Sequence, residues 1–526
     1  VRAVAGAEVF GEPVPGVEEL APESRFVDRL AARFAEDPRA PALRWRDWPT
    51  GQWWRRGELE ERVLRWADRL RALGAGPSRR LLWLGTPTPS QILGFLGALW
   101  AGCAVVPANP RLTARELAHL LRDAEPWAVL CEPGAQPELE AAWALVGGGP
   151  AGWAAGELVV LRSTLEGPEA VAWPAASGRG AGEPPEGSAP ARGGDPGPDR
   201  PALIVYTSGT TGAPKGAVLS DRNLLANAAA LAWAWRWTPE DRLVHCLPVF
   251  HVHGLCVGLL DSLAAGAQVV LLSGFEPGAV AEALREEGAS LFFGVPTMYH
   301  RLVEAGLVGA LGGLRLAASG SAPLAPGLQD RLVQAGVPLV VRYGMSEALM
   351  LTSTPPGAPA RPGSVGVCLP GVEAAVDEYG EVLVRGASVG PGYWRAPQAT
   401  GRSRRSGWFL TGDHGTLDAQ GWLTLLGRAG DVVISGGYNV YPAEVEEVLA
   451  AHPAVAEVAV GGTPSEEWGA VVTAWVVPRP GASLDAEELL AWAAGRLAPY
   501  KRPRILKVVE ALPRNAMGKL RRSELR

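Results

Sequence analysis

The chain of 526 residues carries 49 Lys and Arg against 55 Asp and Glu, a formal charge of −6, and is 47% hydrophobic and 20% charged. So much apolar material fills buried cores, which excludes a mainly disordered chain, and the length suits about two to four domains. The weakly acidic balance gives no electrostatic footprint for a nucleic-acid partner. No run of about 18 apolar residues occurs, so no membrane span is expected. The five cysteines are odd in number and scattered without a CxxC pair, which argues against a disulfide framework or a zinc site. The opening stretch from Val1 to Gly16 has acidic and proline interruptions in place of a secretory h-region. The chain therefore reads as cytoplasmic, or as a mitochondrial-matrix protein in a eukaryotic source. Only four residues are lysines, Lys215, Lys501, Lys507 and Lys519, so the position of each is informative.

From about residue 20, helical and strand patterns alternate. FVDRLAARFAEDP and ELEERVLRWADRLRALGAG place apolar residues three and four apart, and the second pattern stops at Gly74. RLLWLG, AVVPAN and WAVLCE read as buried strands, separated by helices over SQILGFLGALWAG and TARELAHLLRDAEP. Such alternation predicts parallel βαβ units. It resumes after residue 200 and runs to about 343. Residues 177–200, SGRGAGEPPEGSAPARGGDPGPDR, are half Gly or Pro, a composition that cannot bury enough surface to order itself and reads as a disordered insertion. Past about residue 365 come short, turn-rich β segments such as GEVLVRG and GWLTLLGR, and past 430 a compact α+β unit. The expected fold is α/β. A large N-terminal body of parallel βαβ layers with a β-rich subdomain spans 20–428, and a small mobile α+β C-terminal domain spans 431–526, with a hinge at 428–431.

The stretch Tyr206-Thr-Ser-Gly-Thr-Thr-Gly-Ala-Pro-Lys-Gly216 follows the strand ALIVY and precedes a helix beginning near Ser220. Hydroxyl donors, glycines that let backbone N–H groups approach, and one lysine suit a loop that wraps a polyphosphate. It is not a Walker A loop, because Pro214 precedes Lys215 and Gly216 follows it. Further along stand Ser319-Gly-Ser-Ala-Pro323, Arg342-Tyr-Gly-Met-Ser-Glu347, Thr411-Gly-Asp413, Gly427-Arg428, Ser435-Gly-Gly-Tyr-Asn439 and Pro513-Arg-Asn-Ala-Met-Gly-Lys519.

These segments, in this order, resemble the motifs of the adenylate-forming superfamily of acyl-CoA synthetases, nonribosomal adenylation domains and luciferases, over nearly the whole chain. The resemblance implies an AMP-forming acid–thiol ligase using ATP, Mg²⁺ and coenzyme A. It assigns ATP contacts to Thr207, Ser208, Gly209, Thr210, Thr211, Gly212 and Lys215 in the phosphate loop. Gly320, Tyr343, Gly344, Met345, Ser346, Asp413, Arg428 and Lys519 complete the ATP set. Tyr343 stacks on adenine, Ser346, in place of the usual threonine, meets the α-phosphate, Glu347 holds Mg²⁺, and Asp413 takes the ribose hydroxyls. Lys519 bridges carboxylate and α-phosphate, so the implied catalytic set is Lys519, Glu347, Ser346 and Thr207. Gly436 and Gly437 help form a pantetheine tunnel for CoA. Gly430 stands where the family hinge usually has Asp or Lys, and His414, where an apolar residue is usual, reads as a partly exposed turn histidine.

The acid is a separate question. Arg342 precedes Tyr343 beside the expected acyl pocket, and Pro248-Val-Phe-His-Val-His-Gly254 holds two histidines. With SGSA and the LAPYKRP and PRNAMGK segments, this resembles the malonyl-CoA and methylmalonyl-CoA synthetases. That resemblance assigns a distal carboxylate to Arg342, a histidine of the HxHG segment taken as His251, Ser319 or Ser321, and more weakly Arg361. A buried second carboxylate needs a cationic partner of matching geometry, which guanidinium supplies. Pairing of Arg342 with a local acid is the plain alternative. A ligase for a fatty or aryl monocarboxylate and a stand-alone adenylation domain loading a carrier protein are the rival functions.

Overall fold

The computed structural model describes residues 4–5, 24–48, 51–147, 158–170, 197–207, 213–435, 438–465, 468–494, 496–515 and 520–525. Most of the Gly/Pro-rich insertion expected at 177–200 lies outside them, as do Ser208 to Gly212, Gly436, Gly437 and Lys519.

Among the described residues, two large sheets carry the N-terminal body. One has eight strands in the order Gly392–Tyr393, Lys215–Ser220, Pro201–Thr207, Ala104–Ala108, Arg80–Leu84, Ala128–Cys131, Val159–Ser163 and Pro168–Ala170. The other has nine, running Val367–Cys368, Leu349–Ser353, Leu339–Met345, Leu316–Ser319, Leu291–Gly294, Arg242–His245, Gln268–Leu271, Pro41–Trp45 and Trp53–Arg55. The central pairs of both are parallel, as the strand–helix alternation predicts. Their strands are buried on both faces, and alternate residues serve different cores. Leu81 and Trp83 join the core shared with the second sheet, whereas Leu82 and Leu84 pack under the helices Ala114–Ala124 and Gln136–Val146. In the second sheet Leu243 and Phe293 face the shared core, and Val244 and Phe292 face the helices Pro277–Glu286, Pro296–Glu304 and Pro326–Gln334. The helices Phe26–Glu36, Arg56–Ala72, Pro89–Ala101 and Asp221–Ala234 fill the space between the sheets.

A six-stranded sheet that includes Val372–Val376, Glu381–Gly386, Trp408–Leu417 and Leu423–Arg428 forms the β-rich part, and residues 429–431 follow it as one turn of 3-10 helix. Beyond it lies a separate five-stranded sheet around Val455–Ser465 and Gly469–Pro478, with its own core against the helices Pro442–Ala450 and Ala486–Ala494. Two local details differ from the sequence reading. Residues Lys215–Ser220 are an antiparallel strand paired with Pro201–Thr207, so the stretch between them closes a hairpin before the helix starts at Asp221. His414 lies within the strand Trp408–Leu417, half-buried, and not in a turn; its Nδ1 is 3.4 Å from the Tyr441 hydroxyl of the C-terminal unit.

The body is also tied by buried charge. Asp221 accepts a hydrogen bond from the Phe26 amide at 2.8 Å and faces Arg200 Nε at 2.8 Å, while Arg200 donates to the Gly102 carbonyl at 2.5 Å. Removing one member of such a pair leaves an uncompensated buried charge. Asp221→Ala is expected to lower stability by about 3 kcal/mol in equilibrium urea unfolding; a loss below about 1 kcal/mol, the range of an exposed pair, contradicts this.

Candidate active site

The parallel strands of the second sheet end on one side, where crevices of open α/β sheets collect ligands. Leu316–Ser319 and Leu339–Met345 lie side by side there, with Ser319 opposite Val341. Arg342 follows directly. Its side chain is 3% exposed, and Nη2 donates to Ser321 Oγ at 3.3 Å. Ser321, in the left-handed region at φ 70°, also stands 3.2 Å from His253 Nδ1. A Cβ on Gly320 would lie 2.5 Å from Arg342 Nε, so only glycine lets the guanidinium lie against this backbone.

The group has an unusual electrostatic balance. No Asp or Glu among the described residues pairs with Arg342, and burial pushes its pKa down to about 9. Arg342 Nε, Ser319 Oγ and His253 Nε2 are buried without a hydrogen-bond partner among the described residues. The local-acid alternative for Arg342 is therefore excluded for those residues. A buried cation whose neighbours are hydroxyls and neutral imidazoles is arranged to receive an anion.

The structure brings His253 to Ser321, although His251 was the histidine expected. His251 is half-buried, beside the Phe250 ring, and burial lowers its pKa to about 4. His253 opens a π-helical segment, His253–Asp261, and burial followed by the Arg342 charge holds its pKa well below the ordinary value. Arg361 stands outside the group. Its guanidinium lies 4.1 Å over the Trp422 ring and bonds to Asp418 at 3.2 Å and Gln420 at 2.7 Å, so stacking and surface partners hold it elsewhere.

A second group of side chains starts one residue further on. The Tyr343 hydroxyl donates to Asp413 Oδ2 at 2.5 Å, and Arg428 Nε meets Asp413 Oδ1 at 2.8 Å. Asp413 and Arg428 are cross-strand partners in the pair Trp408–Leu417 and Leu423–Arg428. Burial opposes charge on Arg428, yet Asp413, Tyr343 and Glu347 hold its pKa above the ordinary value. The strand continues through Gly344 and Met345, the chain turns at Ser346 and Glu347, and Leu349–Ser353 runs back antiparallel; these four residues are half-buried. The Glu347 carboxylate accepts from the Tyr393 hydroxyl at 2.9 Å. Lys215 Nζ lies 5.7 Å from the centre of the same ring, and Thr207 Oγ1 donates to the Lys215 carbonyl at 3.4 Å. Thr207, Lys215 and Glu347 thus converge, with Tyr393 between the last two.

No group of three or more His, Cys, Asp or Glu able to hold a metal occurs among the described residues. Glu347 nonetheless suits Mg²⁺, which is commonly held by one or two carboxylates together with substrate phosphates. Lys519 and the Gly436–Gly437 pair, assigned by resemblance to catalysis and CoA, lie outside the described residues. Next to Lys519, Leu520 bridges Arg514, and Arg522 pairs with Glu446 at 2.6 Å and with Asp431 at 3.4 Å.

Two α/β sheets, a β-rich sheet and a small α+β unit after it make up the layout of an adenylate-forming enzyme. The chain belongs to the AMP-binding enzyme family: the family model matches residues 30–394, and the model for the AMP-binding enzyme C-terminal domain matches 444–519. It is 36% identical over 483 residues to a feruloyl-CoA synthase of Amycolatopsis sp, covering 89% of this chain and 92% of that one. It is 39% identical over 376 residues to a malonate–CoA ligase of Mus musculus, covering 62% and 64%. The crystal structure of ATP-bound MatB from Rhodopseudomonas palustris superposes with a TM-score of 0.82 at 34% identity, over 95% of this chain and 98% of that one. The protein is an acyl-CoA synthetase of this family, a ligase that forms thioesters with CoA.

Three histidines whose protonation burial opposes give the site's scaffold a pH dependence. Burial holds His245 and His251 at about 4 and His253 well below its ordinary value, against about 6.5 in an unfolded chain. Their contribution is complete above pH 6.5 and is lost as the pH falls toward the folded values, because the unfolded chain then binds more protons. Unfolding near pH 5 is expected to take up about three protons on these imidazoles, and His253→Asn to remove about one of them. Urea titrations from pH 7 to 4.5 check this; a pH-independent stability over that range contradicts it.

Proposed function

We propose that this ligase activates a short dicarboxylate, malonate or methylmalonate, and passes it to CoA. The observation that carries the reading is the buried Arg342 guanidinium without an acidic partner among the described residues, beside Ser321 and His253. Burying a lone cation costs several kcal/mol, a cost that a bidentate carboxylate offsets when it binds. The similarity to ligases named for ferulate, indoleacetate and malonate supports the reaction class and leaves the acid open. A ligase for an aryl or other monocarboxylate is the second reading, favoured by the near full-length similarity to feruloyl-CoA synthase. Against it stands the charge: an apolar acyl tail leaves Arg342 desolvated and unpaired.

In the first step a carboxylate oxygen attacks the α-phosphorus of ATP, and the bond to pyrophosphate breaks. In the second, the CoA thiolate attacks the acyl carbonyl and AMP leaves. The distal carboxylate rests on Arg342, Ser321 and His253, which points the other carboxylate toward the strand end where Tyr343 and Ser346 follow. Tyr343 offers its face to adenine, Asp413 accepts from the ribose hydroxyls, and Arg428 holds Asp413. Thr207, Lys215 and the loop 208–212 take the phosphates, Ser346 donates to the α-phosphate, and Glu347 holds the metal. Bound Mg²⁺ supplies charge neutralisation on the phosphate oxygens. Lys519 serves the growing charge at the α-phosphate, and rotation about 428–431 then admits the pantetheine arm past Gly436 and Gly437.

Arg342→Leu is expected to raise KM for malonate about 100-fold, equivalent to about 3 kcal/mol of lost ion pairing, with KM for ATP unchanged within about twofold. Steady-state pyrophosphate release measures both. Unaltered malonate kinetics in this variant contradict the assignment.

A further inference from the structure

The segment 390–394 joins two parts of the nucleotide site that are far apart in sequence. The Gly390 amide donates to the Glu347 carbonyl at 2.8 Å, and a Cβ on Gly390 would lie 2.3 Å from the Val218 carbonyl oxygen. Only glycine lets this backbone pass between the phosphate-loop hairpin and the turn that carries Glu347. Two residues later Gly392–Tyr393 pairs with Lys215–Ser220, setting Tyr393 opposite Ala217. The Trp394 amide donates to the Gly216 carbonyl at 2.7 Å, and the Tyr393 amide to Thr400 Oγ1 at 2.9 Å. The Tyr393 backbone is therefore fixed on both sides. Its hydroxyl donates to Glu347 Oε1 at 2.9 Å and its ring faces Lys215 Nζ at 5.7 Å.

We propose that Tyr393 is a positioning residue that orients the Glu347 carboxylate for the phosphate-bound metal and fixes its distance from Lys215. The hydroxyl occupies one carboxylate oxygen and leaves the other for a cation. Without it, an acidic side chain with several rotamers must be ordered by the metal itself, which weakens metal binding. The neutral donor achieves this without adding charge beside Lys215. This inference rests on the reading of Glu347 as the magnesium ligand.

Tyr393→Phe keeps the ring and deletes the hydroxyl. Loss of an outer hydrogen bond to a metal ligand predicts about a tenfold rise in the Mg²⁺ concentration that half-saturates ATP–pyrophosphate exchange. KM for the acid is expected to stay within about twofold. A readout independent of turnover is the Mg²⁺-dependent gain in ATP affinity by titration calorimetry, which shrinks in the variant while Mg²⁺-free ATP binding is retained. Glu347→Gln raises the Mg²⁺ requirement at least as far, and adding Tyr393→Phe to it costs nothing further, because the hydroxyl acts only through that carboxylate. An unchanged Mg²⁺ requirement in Tyr393→Phe, with a raised one in Glu347→Gln, overturns the role of Tyr393 and leaves Glu347 standing. An unchanged requirement in both overturns the two together. Fully additive effects in the double variant overturn it as well, since they assign Tyr393 an independent structural role.

Discussion

A guanidinium that is nearly fully buried without a counter-ion among the described residues is the constraint around which this end of the second sheet is arranged. A buried charge is tolerated where it is solvated by dipoles and finds its partner in a ligand. Here the dipoles are few: Ser321 donates to the His253 imidazole or accepts from Arg342, and Ser319 and Arg342 Nε keep unused hydrogen-bonding capacity. His253 stays neutral because burial disfavours its charged form and the neighbouring Arg342 charge adds to that. The site therefore carries a single positive charge in a neutral polar frame, which suits one carboxylate.

On the proposed reading, one strand carries the boundary between the two substrates. Arg342 and its neighbour Tyr343 point to opposite faces, as successive residues of a strand do, which would give one to the acid and the other to the nucleotide. Tyr343 is then held by Asp413, and Asp413 by Arg428, the residue before the 429–431 turn. These three side chains reach to the start of the C-terminal unit, whose Tyr441 meets His414 from the same strand as Asp413. The residues proposed for the acid and the nucleotide and those at the junction with the C-terminal unit are thus contiguous in space.

Much of this was legible in the residues, for physical reasons. RLLWLG, AVVPAN and WAVLCE are short apolar runs between amphipathic helices, and each forms a parallel strand where the pattern predicts. Ser220 caps a helix, as its place before DRNLL suggests. Where the pattern was silent, packing decided. KGAVLS is buried on both faces and so shows no alternation, and its strand character emerges only from pairing with Pro201–Thr207. HGLCVGLLD is apolar all round, which hides both its π-helical form and the reason why His253, and not His251, turns toward Ser321. Tyr393 lies 46 residues from Glu347 and has no local signature, so only the tertiary pairing of 392–393 with the phosphate-loop hairpin reveals its contact. Arg361 shows the converse: a basic residue beside a motif, drawn away by the Trp422 face and by Asp418 and Gln420.

The most direct measurement is pyrophosphate release with ATP, Mg²⁺ and CoA across malonate, methylmalonate, succinate, octanoate, ferulate and indoleacetate, compared as kcat/KM. An unpaired buried Arg342 predicts a preference for malonate or methylmalonate over every monocarboxylate by about two orders of magnitude, the equivalent of one buried ion pair. A preference for ferulate, indoleacetate or octanoate contradicts it, leaving the fold and the ligase chemistry in place and removing the distal carboxylate from Arg342.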